Sequence, residues 1–105
     1  MRTIFITVVA LTLIAAPAAA QDLVAEGRAL AEEKCARCHA IGLEGESTLP
    51  IAPAFRTLSE RYPVGDLEEA LAEGIVSGHP AMPEFVFAPE EVAALIAYLQ
   101  SVQPM

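Results

Sequence analysis

The sequence is poor in basic residues and in cysteine, and each shortage excludes a class of protein. It has 6 lysines and arginines against 14 aspartates and glutamates, which gives a formal net charge of −8. A chain this acidic lacks the basic patch that neutralises phosphates, so nucleic-acid binding is excluded. Long-range attraction instead favours partners with a positively charged docking face. The 2 cysteines allow at most one disulfide, so the chain is not a disulfide scaffold.

The sequence also lacks an apolar run long enough to cross a membrane. Its longest such run, residues 4–16, is shorter than the roughly 20 residues that a span needs, and Pro17 ends it. Arg2 before this run and the small residues up to Ala20 form the pattern of a secretory signal peptide. We expect residues 1–20 to be removed, although an uncleaved anchor is the alternative. Loss of Arg2, the only charged residue there, takes the net charge from −8 to −9.

The remaining domain, residues 21–105, is predicted to be all-α. One helix is expected over 23–34 after a cap at Asp22, and a second over 67–76 after a cap at Asp66. A third begins at Pro89, a residue favoured in the first helical turn. No segment alternates convincingly like a strand.

Long irregular segments separate these three principal helices. Residues 42–56 and 77–91 are rich in glycine and proline, with a helical turn expected near 55–61. Loops this long are usually functional or disordered, and these contain too many large apolar residues to be disordered. We therefore predict that they wrap an apolar group that the chain does not itself supply. The candidates for lining its pocket are Ile41, Leu49, Ile51, Phe55, Leu58, Leu71, Ile75, Phe85 and Leu95.

Both cysteines and one of the two histidines lie in the motif CARCH, residues 35–39. A redox-active dithiol is expected beside a strand, and none is predicted. A zinc site needs a second pair of ligands, but His39 and His79 are forty residues apart. A Cys35–Cys38 disulfide would leave the long loops unexplained. The C-x-x-C-H spacing is typical of covalent haem c attachment, in which both thiols bind the porphyrin and His39 binds the iron.

A second axial ligand is predicted in the segment GHPAMPEF. Met82 lies between Pro80 and Pro83, and it is the only methionine besides the two terminal ones. Its thioether is a soft ligand that haem iron accepts. His79 is the alternative ligand in the same segment.

Residues 22–103 resemble a small class I cytochrome c of the bacterial periplasmic kind. The segments GRALAEEKC, CARCH, PIAPAF, MPEF and AALIAYLQS occur in the family's order. The resemblance implies that the carbonyl of Pro53, or failing that of Pro50, accepts a hydrogen bond from the proximal imidazole. It also implies that the first and last helices cross closely, with Gly27 against Tyr98.

Two features depart from the family. Larger members use a tryptophan to bond a haem propionate, and this chain has none, so Tyr62 and Arg56 are the expected substitutes. The basic ring around the haem edge of mitochondrial relatives is also missing.

The resemblance implies a function as a monomeric one-electron carrier in a periplasmic chain. One haem c would be ligated by His39 and Met82, which leaves no open position for a substrate, so no enzymatic activity is expected. Two alternatives remain. The protein is a haem-bearing subunit of a dehydrogenase or oxidase complex, or it binds ligands or reduces peroxide after displacement of Met82.

Overall fold

The computed structural model describes residues 2–12, 18–74 and 82–105. Within these ranges the chain is helical and contains no strand, which confirms the predicted all-α fold. The α-helices are α1 (Ala18–Lys34), α2 (Leu67–Glu73) and α3 (Pro89–Ser101), with 3₁₀ segments at Phe55–Glu60 and Val64–Asp66. No helix in the described part of the chain is long and apolar enough to span a membrane.

Helix α1 ends at Lys34 as predicted but begins earlier than expected. Its first residue is Ala18, so Asp22 lies inside the helix and the predicted cap there is wrong. Residues 18–21 are three alanines and a glutamine, all good helix formers, and they extend the helix past the aspartate.

Helices α1 and α3 cross at Gly27. A Cβ atom placed on this glycine would overlap the carbonyl oxygen of Ala94 and would lie 2.7 Å from the Cβ of Tyr98. Only a residue without a side chain permits this approach. The close crossing with Tyr98 that the resemblance implied is therefore confirmed.

Helix α2 is shorter than predicted, and its predicted cap is wrong. Asp66 makes no capping hydrogen bond, because it already has helical backbone angles in the 3₁₀ turn that precedes α2. The helix ends at Glu73, and Gly74 follows with a φ of +106° that glycine adopts readily. The last residues of the predicted helix, 75 and 76, lie outside the described part of the chain.

Helix α3 starts at Pro89 as predicted. The backbone N–H of Ala88 donates to Oε1 of Glu91 at 2.9 Å, which satisfies one donor at the helix start. The apolar face of α3 supplies much of the core: Val92, Ala94, Leu95, Tyr98 and Leu99 are all buried.

The core lies between the crossed helices, the first 3₁₀ segment and α2. Among the predicted pocket residues, Phe55, Leu58, Leu71 and Leu95 are buried, and Ile41, Leu49 and Phe85 are half-buried. Ile51 is 65 % exposed, and its place beside the predicted apolar group stays a prediction. It lies in a turn between Pro50 and Pro53 that presents its side chain outward. Ile75 lies outside the described residues.

Candidate haem-binding site

The motif CARCH continues directly from the end of α1 as a series of tight turns. The N–H of Cys35 donates to the carbonyl of Ala31 at 2.9 Å, which extends the helical pattern by one bond. The N–H groups of Cys38 and His39 then both donate to the carbonyl of Cys35, at 3.2 and 3.0 Å. These bonds hold the two thiols and the imidazole within one short turn.

The Cys35 thiol does not have the lowered pKa of a redox-active dithiol. Both cysteines are free and half-buried, and burial raises the pKa of Cys35 to about 11. This thiol is therefore protonated at neutral pH, whereas a reactive dithiol requires a lowered thiol pKa. No group of three or more His, Cys, Asp or Glu residues suitable for a metal ion occurs in residues 2–12, 18–74 and 82–105.

The His39 ring is held on two sides. Its Nδ1 lies 2.7 Å from the carbonyl oxygen of Pro53, the proline favoured from the sequence. Because a carbonyl only accepts, the proton is on Nδ1 and the lone pair of Nε2 is available to bind a metal. The ring of Phe55 lies with its centroid 5.0 Å from that of His39, at 43° between the planes.

Four hydrogen bonds fix the end of the motif and the residues that follow it. The N–H of Leu49 donates to the carbonyl of Cys38 at 3.1 Å, and that of Phe55 donates to the carbonyl of Ala40 at 2.9 Å. The Ser47 hydroxyl accepts from the N–H of Ala40 at 3.0 Å. From α3, the Tyr98 hydroxyl donates to the carbonyl of Ile41 at 2.7 Å.

The sequence did not indicate this use of the Tyr98 hydroxyl or of Ser47. Tyr98 was expected only to pack at the helix crossing, where it is buried. Burial raises the pKa of Tyr98, so its hydroxyl remains a hydrogen-bond donor at neutral pH. Ser47 lies in a segment with no periodic pattern, so nothing in the sequence signalled its contact with Ala40.

Arg56 carries a buried donor that no group of the described chain satisfies. Its Nη2 donates to the carbonyl of Gly45 at 2.7 Å, while Nη1 is buried without a hydrogen-bond partner. An unsatisfied buried donor on a charged group is costly, and an anionic partner would remove that cost. Tyr62 is the other residue predicted to bond a haem propionate. It is 38 % exposed, and its hydroxyl makes no hydrogen bond within the part of the chain that the structure describes.

Met82 is half-buried at the start of a segment that docks on α2. The N–H of Phe87 donates to the carbonyl of Leu71 at 3.0 Å, and the Glu84 carboxylate lies directly against Gly74. These contacts anchor the segment a few residues after Met82. The competing ligand, His79, lies outside the described residues.

Residues 24–103 match the family model of cytochrome c. This chain belongs to the cytochrome c family. A cytochrome c-553-like protein of Synechocystis sp. (strain ATCC 27184 / PCC 6803 / Kazusa) is similar to it, with 34% identity over 77 residues. The alignment covers 72% of this cytochrome and 66% of that relative, so the chain spans slightly less than two thirds of the relative's length. No solved structure matches the chain significantly.

Membership of this family implies one covalently bound haem c, and the residues present fit it. Two free thiols, Cys35 and Cys38, are available for covalent attachment. The imidazole of His39 has Nδ1 engaged, which leaves Nε2 for iron. The unpartnered Nη1 of Arg56 matches the need for an anionic group such as a propionate. The roles of Arg56 and Tyr62 beside a propionate stay predictions.

Proposed function

We propose that this cytochrome c is a one-electron carrier whose axial ligands are His39 and Met82. The bound haem supplies one iron centre that cycles between the ferrous and ferric states. The observation that carries the proposal is the 2.7 Å hydrogen bond between His39 and Pro53. An imidazole whose Nδ1–H is held by a carbonyl is oriented as a metal ligand and donates more electron density from Nε2.

The two ligands act in opposite directions on the iron. The hydrogen bond from His39 to Pro53 makes the imidazole more basic, which favours ferric iron. The thioether of Met82 favours ferrous iron and raises the reduction potential. If His39 and Met82 both bind the iron, no position would remain for a substrate, and we therefore propose that the protein is not an enzyme.

Buried apolar side chains would keep water from a haem at this site, and one of them, Phe55, contacts His39. Phe55 contacts the imidazole and is 8 % exposed, while Leu71 and Leu95 are 8 % and 2 % exposed. A dry environment of low dielectric constant disfavours the more highly charged oxidation state. These residues therefore act in the same direction as the thioether of Met82.

Export to the periplasm is also part of the proposal. Removal of residues 1–20 would shorten α1 at its start and place Asp22 in the new first turn, where a carboxylate interacts favourably with the helix dipole. The resulting charge of −9 favours redox partners with a positively charged docking face. We propose that the protein meets such partners as a monomer.

The mass of the protein recovered from the periplasm of a host that attaches haem c tests both export and attachment. We expect a chain that begins at Gln21 and carries one haem bound through both thiols. A second sample with Cys35→Ala and Cys38→Ala should contain no covalent haem. A mass equal to the unmodified chain with a Cys35–Cys38 disulfide would contradict the proposal.

Arg56 is predicted to keep its anionic partner ionised. In Arg56→Met the positive charge is lost, so the reduction potential should fall. The propionate pKa should rise towards neutrality, and the potential should then decrease with increasing pH as the propionate ionises. Redox titrations between pH 5 and 8 measure both effects. Arg61→Met, at an exposed position five residues away, is the matched control, and identical pH profiles for the two variants would refute the role of Arg56.

A further inference from the structure

Gln103 lies just beyond the end of α3 and uses both ends of its side-chain amide. Its Nε2 donates to the carbonyl oxygens of Phe55, at 2.6 Å, and of Leu99, at 2.8 Å. Its Oε1 accepts from the backbone N–H of Ser59 at 3.0 Å. One side chain therefore fixes the first 3₁₀ segment, Phe55–Glu60, onto the last turn of α3.

The residue that Gln103 holds is the one that contacts the His39 ring. Phe55 packs its ring against the imidazole, and its own N–H is bonded to the carbonyl of Ala40, next to His39. Two residues before Phe55, the carbonyl of Pro53 accepts from Nδ1 of the same imidazole. The short strip 53–55 thus holds His39, and the strip is itself held at Ala40 and at Gln103.

We propose that Gln103 is a positioning residue for His39, which acts through the strip 53–55 on the His39–Pro53 hydrogen bond. Without Gln103 the carbonyl of Phe55 loses the bond from the Gln103 side chain that ties it to the end of α3, while the strip keeps its bonds to Ala40 and Thr57. The Nδ1–H of His39 then meets an acceptor that is less fixed in position. The inference rests on the proposed function in one respect, that His39 is the axial ligand.

Two consequences follow from a weaker bond at Nδ1. The Nδ1 proton of His39 exchanges with solvent only when its bond to Pro53 opens, so exchange becomes faster. The imidazole also donates less electron density from Nε2, which disfavours ferric iron and raises the reduction potential. A purely structural role for Gln103 would lower the stability of the fold without moving both properties in these directions.

The test compares Gln103→Met with Gln100→Met in the haem-loaded protein. Methionine preserves the length of the side chain and removes all three hydrogen bonds, whereas Gln100 is exposed on the last turn of α3. Exchange of the His39 Nδ1 proton is measured by NMR in the ferrous state, and the potential by redox titration. We expect exchange to accelerate by roughly tenfold and the potential to rise in Gln103→Met, since each hydrogen bond contributes about 0.5–1.5 kcal/mol. Gln100→Met should match the wild type.

A second variant covers the case in which Gln103→Met does not fold. Gln103→Glu retains an acceptor for the N–H of Ser59 and loses only the donors to Phe55 and Leu99. It should also accelerate exchange, and protonation of its carboxyl at low pH should restore one donor and slow exchange again. If either folded variant matches Gln100→Met in exchange rate and in potential, the positioning role is wrong.

An NMR measurement on the ferric wild-type protein distinguishes failure of this inference from failure of the proposed function. The Nδ1 proton of His39 is shifted strongly by the paramagnetic iron only if His39 is a ligand. An unshifted proton would overturn the proposed ligation before any variant is made. A shifted proton together with an unchanged Gln103→Met would overturn the role of Gln103 alone.

Discussion

Gly27→Val is expected to destabilise the folded protein strongly, by several kcal/mol. A Cβ at this position would already overlap the carbonyl oxygen of Ala94 and approach the Cβ of Tyr98 to 2.7 Å. The obstacle is helix backbone, which cannot turn aside as a flexible side chain can, so α1 and α3 must separate. Overpacking of this kind typically costs about 1–3 kcal/mol and sometimes more, out of a total stability of about 5–15 kcal/mol. Valine adds two further methyl groups to the clash.

The milder substitution Gly27→Ala gives a quantitative test in protein that still folds. Helix propensity alone would make alanine more stabilising than glycine by about 1 kcal/mol. We expect the opposite sign, a lower midpoint in thermal or urea unfolding of the haem-loaded protein. Gly42→Ala is the matched control, because no atom lies within 4 Å of the added Cβ, and its effect should stay within about 0.5 kcal/mol. A Gly27→Ala variant as stable as the wild type would show that the helices do not cross this closely.

Met82→Ala is expected to change the haem site more than any other substitution outside CARCH. Loss of the thioether opens one axial position of the iron to water or a nearby base. The weak near-infrared absorption of the sulfur–ferric bond should disappear, and carbon monoxide should bind readily to the reduced protein. The reduction potential should fall by roughly 0.1 V or more, since axial ligands set haem potentials over a range of about 0.8 V.

Two control variants identify the ligand. Met105→Ala removes a methionine from the fully exposed end of the chain and should leave the spectrum and potential unchanged. His79→Ala should leave both properties nearly unchanged, because no bond to iron is assigned to this side chain. A silent Met82→Ala together with a changed spectrum in His79→Ala would show that the histidine is the ligand. The assignment of CARCH would survive that result.

The features predicted correctly from the sequence depend on local chemistry or on a motif. Pro89 starts α3 because its fixed φ and missing N–H suit the first helical turn. Gly27 lacks a side chain at a helix position where the backbone of α3 approaches closely. The family's order of motifs placed Pro53 near His39, and the structure has the corresponding hydrogen bond.

The features missed from the sequence have local causes at the starts of α1 and α2 and long-range causes at Gln103. The predicted start of α1 was wrong. Aspartate is a common capping residue, but Asp22 lies within a run of strong helix formers. The predicted cap at Asp66 was wrong because the turn before α2 is already helical, whereas a capping residue requires an extended backbone. The hydrogen bonds of Gln103 to Ser59 and Phe55 join residues more than forty positions apart, and no local pattern encodes them.

The visible absorption spectrum of the reduced wild-type protein, recorded before and after addition of carbon monoxide, tests the proposed function most directly. If His39 and Met82 both bind the iron, the spectrum is that of a low-spin, six-coordinate haem c, and carbon monoxide leaves it unchanged. A five-coordinate spectrum, or one that carbon monoxide shifts at once, would contradict the proposed electron carrier and favour a ligand-binding or peroxide-reducing haem protein.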